Sequence, residues 1–218
     1  MNIFDIIGPI MIGPSSSHTA GACRLGKVAR RILNEEVETA NIILSGSFAK
    51  TYFGHGTDKA IIAGLMGFNT YDEDIKNALN IAKEKNIKYE FHLEEIPNTH
   101  PNTAKIEISG KTNSVTIIGS SIGGGNIIIT KLNDMEVHFT GNNNTIMIIH
   151  KDLPGVIAEV TTFIAEKKLN ICGFRLSREN KGGNALMTIE IEGEVENDII
   201  DKIKTFENVT NVILIRAI

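Results

Sequence analysis

Between residues 13 and 21 the chain reads Gly13-Pro14-Ser15-Ser16-Ser17-His18-Thr19-Ala20-Gly21. Three serines, a histidine and a threonine thus stand between a Gly-Pro turn signal and a helical pattern. Leu25, Val28, Ala29, Ile32 and Leu33 recur at i, i+3, i+4, i+7 and i+8, which gives that helix one buried face. The hydroxyl cluster therefore lies at or just before a helix N-terminus. Unpaired backbone N–H groups and the positive end of the dipole make such a place attractive to a carboxylate or phosphate. A single N-cap would need only one serine. The stretch is read as the wall of an anion-binding pocket.

A second chemical candidate is Gly54-His55-Gly56-Thr57-Asp58. Glycines on both sides suit a loop that carries an imidazole onto a substrate and withdraws it. Histidine is the usual residue for proton abstraction near neutral pH. Taken alone, His55 could equally make a structural hydrogen bond. Asn98-Thr99-His100-Pro101-Asn102-Thr103 packs five polar residues and a proline into six positions, which suits an amino-acid or hydroxy-acid pocket as well as a turn. The run Gly119-Ser120-Ser121-Ile122-Gly123-Gly124-Gly125-Asn126 offers backbone N–H groups for an anion nest. It lacks the Lys-Ser/Thr of a phosphate loop and precedes a strand, so a hairpin bend is the default. At His150-Lys151-Asp152-Leu153-Pro154-Gly155 a strand passes into a helix. Asp152 reads as an N-cap with Pro154 in the first turn, and the helix start can also take a ligand. Ser17 and His18 are neighbours without the strand-turn-helix elbow of a serine hydrolase, and the histidines lack a paired helical spacing for metal.

The elements that must position these residues fall into two groups. After the first helix come a short strand at Asn41–Leu44, a helical run through residues 60–66, and an amphipathic helix at Asp72–Asn86. Strand patterns follow at Lys88–Leu93, Ala104–Ser109, Ser114–Gly119, Asn126–Leu132 and Glu136–Thr140. This half is α+β, with helices on a largely antiparallel sheet. Gly141-Asn142-Asn143-Asn144 is the candidate boundary. Beyond it the pattern is Thr145–His150, a helix at Leu153–Lys168, strands at Ile171–Ser177 and Ala185–Ile191, a helix at Asp198–Phe206, and a strand at Val209–Ile215. That order, β-α-β-β-α-β, is the ferredoxin-like split arrangement. The expected domains are 1–141 and 145–218.

Bulk composition narrows the function. Hydrophobic residues at 42% and charged residues at 22% are ordinary for a globular chain of 218 residues, enough for one large or two small domains. Positions 1–144 carry 13 Lys+Arg against 15 Asp+Glu, and the remainder 9 against 11. Neither part is basic, so nucleic acid and anionic membrane have no electrostatic footing. No apolar run approaches the roughly 20 residues of a membrane span, and no signal peptide is visible. Two cysteines, Cys23 and Cys172, exclude a disulfide framework and argue against a metal or cluster held by this chain's thiolates. A reducing, cytoplasmic setting is expected.

Together, Gly-Pro-Ser-Ser-Ser-His-Thr at 13–19, Gly-His-Gly-Thr-Asp at 54–58, His-Pro-Asn-Thr at 100–103 and Ser-Ile-Gly-Gly-Gly at 121–125 resemble the iron–sulfur-dependent L-serine dehydratases. The chain is most similar to the beta subunits of the two-chain bacterial form. The resemblance implies an N-terminal domain of the allosteric-substrate-binding type and a C-terminal ACT domain. It implies conversion of L-serine to pyruvate and ammonia, without pyridoxal phosphate. The 4Fe–4S cluster would be ligated by a separate alpha subunit. By motif position, His55 would be the base for the Cα proton. Ser15, Ser16, Ser17, His18 and Thr19 would bind substrate, completed by His100, Asn102 and Thr103. His150, Asp152 and Gly155 resemble the serine-binding ACT loop of phosphoglycerate dehydrogenases, which carry Asn where this chain has Asp152. Self-association through ACT sheets is a further implication. The competing reading is a regulatory amino-acid sensor without catalytic duty, and a serine hydrolase is a distant third.

Overall fold

A computed structural model describes residues 9–133, 135–178 and 180–218. They form two compact units that divide at positions 133 and 134. The first contains α1 (Ala22–Leu33), β1 (Thr39–Ser45), α2 (Gly46–His55), α3 (Thr57–Leu65), α4 (Ala78–Glu84), β2 (Lys88–Leu93), β3 (Asn102–Ser109), β4 (Ser114–Gly123) and β5 (Asn126–Leu132). Its strands lie in the order β2-β1-β3-β4-β5, with β1–β2 parallel and the other pairs antiparallel. Side chains alternate across a strand, so Ala40, Ile42 and Leu44 of β1 are buried while Thr39 is exposed.

One contact between helices governs this unit. On α1, a Cβ at Gly26 would overlap the carbonyl oxygen of Ile61; on α3, a Cβ at Gly64 would overlap that of Cys23. The two helices therefore cross backbone to backbone, with one glycine from each admitting the other. α1 ends at Asn34, whose left-handed backbone (φ 58°) lets its N–H return to the Arg30 carbonyl.

Three local features depart from the sequence reading. Residues 46–55 form α2, so His55 ends a helix where a loop over Gly54–Asp58 was expected. The N–H groups of Ser47 and Phe48 both reach the carbonyl of Pro101, at 2.6 and 3.4 Å, and Phe48 is fully buried. A long-range acceptor thus closes the helix start. Between Asp72 and Asn86 the helix is broken: Glu73–Asn77 is a 3₁₀ turn, and Asn77 (φ −107°, ψ 9°) leaves the helical region before α4 begins. β4 runs on through buried Ser120 and Ser121 to Gly123, and only Gly124 and Gly125 form the turn to Asn126. Both have positive φ (59° and 78°), as a two-residue hairpin that follows the strand twist requires.

The second unit contains β6 (Met135–Phe139), β7 (Asn144–Lys151), α5 (Val156–Glu166), β8 (Asn170–Arg178), β9 (Asn184–Glu192), α6 (Asn197–Ile203) and β10 (Val209–Ile215). Its four-stranded sheet is antiparallel in the order β10-β7-β9-β8, the expected split arrangement. Ile146 and Ile148 of β7, Val160 and Ile164 of α5, and Ile199 and Ile203 of α6 share its core. The compact division puts β6 in this unit, where Glu136 receives Arg175 at 3.0 Å and its carbonyl accepts the Ser177 hydroxyl. The compact division consequently precedes the Gly141–Asn144 turn. Among the described residues no helix is long and apolar enough to cross a membrane.

The helix crossing predicts a sharp contrast between two glycine-to-alanine changes. Gly64→Ala should lower stability by about 1–3 kcal/mol, because backbone must move to admit the methyl group. Gly54→Ala, where a Cβ meets nothing within 4 Å, should be neutral or slightly stabilising. Urea unfolding of the two variants checks this. Equal midpoints would remove the special status of the crossing.

Candidate active site

Strand ends and helix ends converge at one edge of the first sheet. Gly46, just after β1, bridges Asn102 at the start of β3. Thr103 is opposite Ser120, and Ser121 is opposite Ile127 of β5. The serine-histidine stretch folds as a π-helical turn, Ser16–Gly21, that runs directly into α1. Such widened turns are uncommon and concentrate at functional sites. Ser15 is its N-cap, with an extended backbone and a hydroxyl oxygen that accepts the His18 N–H at 3.1 Å. Gly21 has no room for a side chain, since a Cβ there would overlap the Ser121 hydroxyl.

His18 is the hub. Its Nδ1 lies 3.3 Å from Ser15 Oγ and its Nε2 lies 3.2 Å from Ser47 Oγ. The ring packs edge-on against Phe48, with centroids 5.2 Å apart, and against His55 at 4.8 Å and 82°. Burial disfavours the charged imidazolium and pulls the His18 pKa below the ordinary histidine value. The neighbouring His55 adds to this, and hydrogen bonding to the Ser47 backbone partly offsets it.

His55 is the last residue of α2, not part of an open loop. Gly56 (φ 68°) turns the chain in the left-handed region so that α3 begins at the next residue. The Thr19 hydroxyl donates to the His55 carbonyl at 3.2 Å, so the π turn holds the backbone of His55 as well as its ring. His55 Nδ1 is buried without a hydrogen-bond partner, as are Thr57 Oγ1 and Ser121 Oγ. Nε2 is then the ring atom of His55 left to meet a ligand. Asp58, in the first turn of α3, is 6% exposed and accepts the Lys59 N–H at 2.8 Å; burial raises its carboxyl pKa.

Not all the sequence candidates meet here. Ser15, His18, Thr19 and His55 are brought together, with Ser16 and Ser17 partly exposed in the same turn. Asn102 shares the sheet edge, its amide nitrogen 3.5 Å from the Ser121 carbonyl. Thr103 is fully buried, with its hydroxyl against the His100 carbonyl (2.6 Å) and Ser120 Oγ (2.7 Å). His100 is exposed and its Nδ1 accepts the Asn102 N–H, so it shapes the turn. Ser47 and Phe48 are site residues that sequence reasoning missed. Their only signal is the polar triplet Ser45-Gly46-Ser47 at the end of an apolar strand.

Among the described residues no group of three or more His, Cys, Asp or Glu could hold a metal ion. The Cys23 thiol is buried, faces the Phe68 carbonyl, and is pushed up to about 12 by burial, so it is a poor thiolate ligand. Cys172 lies apart on β8. The donors among the described residues therefore do not fit a 4Fe–4S cluster. A cavity of about 710 Å³ opens at the far end of β1, beside Thr39, Asn41 and Lys88. Thr39 pairs there with Ser109 and the Asn41 amide nitrogen with Glu107, while Asn41 Oδ1 has no partner among the described residues; the cavity takes no part in the histidine site.

In the second unit, His150 is 1% exposed at the end of β7. Its Nδ1 lies 2.7 Å from the Lys151 carbonyl and its Nε2 is buried unpartnered. The Asp152 carboxylate accepts the Gly182 N–H and an Arg178 N–H, each at 3.2 Å. Those contacts, the Gly182 bond foremost, hold its pKa below the usual carboxylate range. Gly155 caps α5 with φ 95°, a left-handed backbone.

Comparison with known proteins follows the same division. The serine dehydratase beta chain family matches residues 2–87, and the ACT domain of the acetohydroxyacid synthase small-subunit type matches 146–211. The probable L-serine dehydratase beta chain of Bacillus subtilis (strain 168) is 47% identical over 211 residues, 97% of this chain and 96% of that protein. The L-serine dehydratase beta chain of Peptoniphilus asaccharolyticus is 35% identical over 209 residues, 95% and 94% of the two chains. A D-3-phosphoglycerate dehydrogenase of Bacillus subtilis (strain 168) is 24% identical over 196 residues, covering 89% of this chain and 37% of the dehydrogenase.

The packing of the two imidazoles predicts a titration. Because the folded-state pKa of His18 lies below its unfolded value, the unfolded chain binds more protons between the two. Its contribution to stability accordingly rises with pH through that window. In NMR titration, His18 should protonate at lower pH than free histidine, and His55→Asn should move its midpoint upward. A midpoint unmoved by that substitution would separate the two rings electrostatically.

Proposed function

Because the chain belongs to the serine dehydratase beta-chain family, we propose that it is the subunit of an L-serine dehydratase that binds the amino acid and removes its Cα proton. The observation that carries this reading is the meeting of His18 and His55 at the end of a hydroxyl-lined π turn. His55 Nε2 accepts the Cα proton as general base. The π turn, with Ser16, Ser17 and His18, binds the carboxylate and amino groups, Thr19 holds the His55 backbone, and Asn102 closes the edge. Ser15, His100 and Thr103 shape this pocket from behind.

Loss of the Cα proton and of the hydroxyl gives an aminoacrylate. It tautomerises to an imine, and water hydrolyses the imine to pyruvate and ammonia. A 4Fe–4S cluster, if held by an alpha chain, would supply Lewis acidity toward the leaving hydroxyl. The beta-chain names of the relatives support that partner. Large exposed apolar residues flank the site, Phe53 at 81% and Ile122 at 48%, and suit a surface that another chain covers. We place the enzyme in the cytoplasm, where the free thiols Cys23 and Cys172 stay reduced.

We assign 1–141 to the dehydratase-type domain and 145–218 to the ACT domain. The unpartnered His150 Nε2 favours an amino-acid effector at His150, Asp152 and Gly155. The edge position of β8, with Phe174 and Leu176 exposed, suits self-association.

Two measurements test these proposals. His55→Ala, assembled with the alpha chain, should lower kcat by about 10²–10⁴-fold while the iron–sulfur absorption of the complex is retained. Unchanged kcat would remove His55 from the base role. L-Serine titrated calorimetrically into the wild-type chain and His150→Ala should show a binding event that the variant loses. Identical isotherms would clear the ACT loop of an effector role.

A further inference from the structure

Ser47 has no role in the dehydratase reading, yet it holds one side of the His18 ring. It lies in the first turn of α2, the helix whose last residue is His55, and is itself partly exposed. Its backbone N–H is fixed by the Pro101 carbonyl at 2.6 Å, and its carbonyl accepts the Thr51 hydroxyl at 2.9 Å. Its hydroxyl oxygen stands 3.2 Å from His18 Nε2.

The donors and acceptors around His18 assign the proton. Ser15 Oγ already accepts the His18 backbone N–H, which leaves its own hydrogen to point at Nδ1. With Nδ1 as the acceptor of the Ser15 hydrogen, Nε2 carries the ring hydrogen and the Ser47 oxygen accepts it. A serine hydroxyl has one hydrogen to give, and among the described residues that of Ser47 is committed to no other acceptor. Thr19 and Thr103, by contrast, both donate to backbone carbonyls.

We propose that Ser47, oriented by the Nε2–H of His18, donates its hydroxyl hydrogen to the carboxylate of the amino-acid substrate and so sets affinity for it. A hydroxyl that accepts from one group is polarised as a donor to the next, and a charged acceptor strengthens the bond further. The proposal rests on the dehydratase reading of the same site. It adds a substrate contact from α2, opposite the contacts from the π turn. The helix that supplies the base thereby also holds the substrate.

The test uses the assembled two-chain enzyme and the full-length beta chain. With the alpha chain present, Ser47→Ala should raise KM for L-serine by about tenfold to a hundredfold, the loss expected for one hydrogen bond to a charged group. kcat should stay within about threefold, because the contact is made before and during reaction alike. In the ¹⁵N-histidine-labelled wild-type chain, long-range nitrogen–proton correlations should show His18 as the Nε2–H tautomer. An unchanged KM in Ser47→Ala, or an Nδ1–H tautomer at His18, would overturn the proposal. The tautomer measurement decides it even if the variant fails to fold. A wild-type complex that does not turn over L-serine would instead overturn the dehydratase reading, and the two failures are distinguishable.

Discussion

Two glycines facing each other's backbones, Gly26 on α1 and Gly64 on α3, set the distance on which the histidine site depends. The π turn that carries His18 is continuous with α1. His55 sits two residues before Thr57, the first residue of α3. One imidazole therefore sits in the turn that runs into α1, and the other ends α2, joined to α3 through Gly56. With ordinary side chains at the crossing, helix axes separate to accommodate them, and the rings separate with the axes. The 4.8 Å approach of the rings is thus a consequence of backbone contact some distance from the chemistry. The Thr19 hydroxyl on the His55 carbonyl adds a direct tie between the same two segments.

That approach has an electrostatic consequence. Two imidazoles in edge-to-face contact cannot both carry a proton cheaply, and burial weighs further against the charged form of His18. A neutral His18 keeps one nitrogen as donor and one as acceptor, so it can bridge two hydroxyls that a cation could only face as a donor. Phe48, fully buried beneath it, supports the ring from an apolar side. On the proposed reading, this leaves His55 as the ring that changes its protonation during a turnover. His18 then works as a fixed hydrogen-bonding post.

The fold was legible where periodicity is strong and local. The second unit follows its β-α-β-β-α-β pattern because each strand and helix buries its own stripe on a shared core. The serine-histidine stretch was legible as a helix start, for Ser15 caps it through the His18 N–H. α2 was not, because its first N–H groups are satisfied by Pro101, more than 50 residues away, and its sequence has little amphipathic pattern. His55 consequently looked like a loop residue between glycines. The length of β4 was hidden for a related reason: Ser120 and Ser121 are polar but buried. Ser47 became visible only through a tertiary contact with His18, and no spacing along the chain encodes it.

The hydroxyls at this end of the sheet divide by where their hydrogens go. Thr103 donates within the β3–β4 edge, Thr19 donates to His55, and Ser15 serves both the cap and the ring of His18. These three build the site, and none has a hydrogen to spare for a ligand. Ser16, Ser17 and Ser47 are partly exposed around the same ring, and they are the hydroxyls open to a polar guest. A run of three serines beside a histidine therefore does not mean three equivalent contacts. Ser15 is committed to the cap of the π turn, Ser16 and Ser17 follow it in the turn, and the hydroxyl of Ser47 comes from another helix. The pocket is thus assembled from the turn that leads into α1 and from α2, whose last residue joins through Gly56 to α3, the helix that crosses α1 at Gly26 and Gly64.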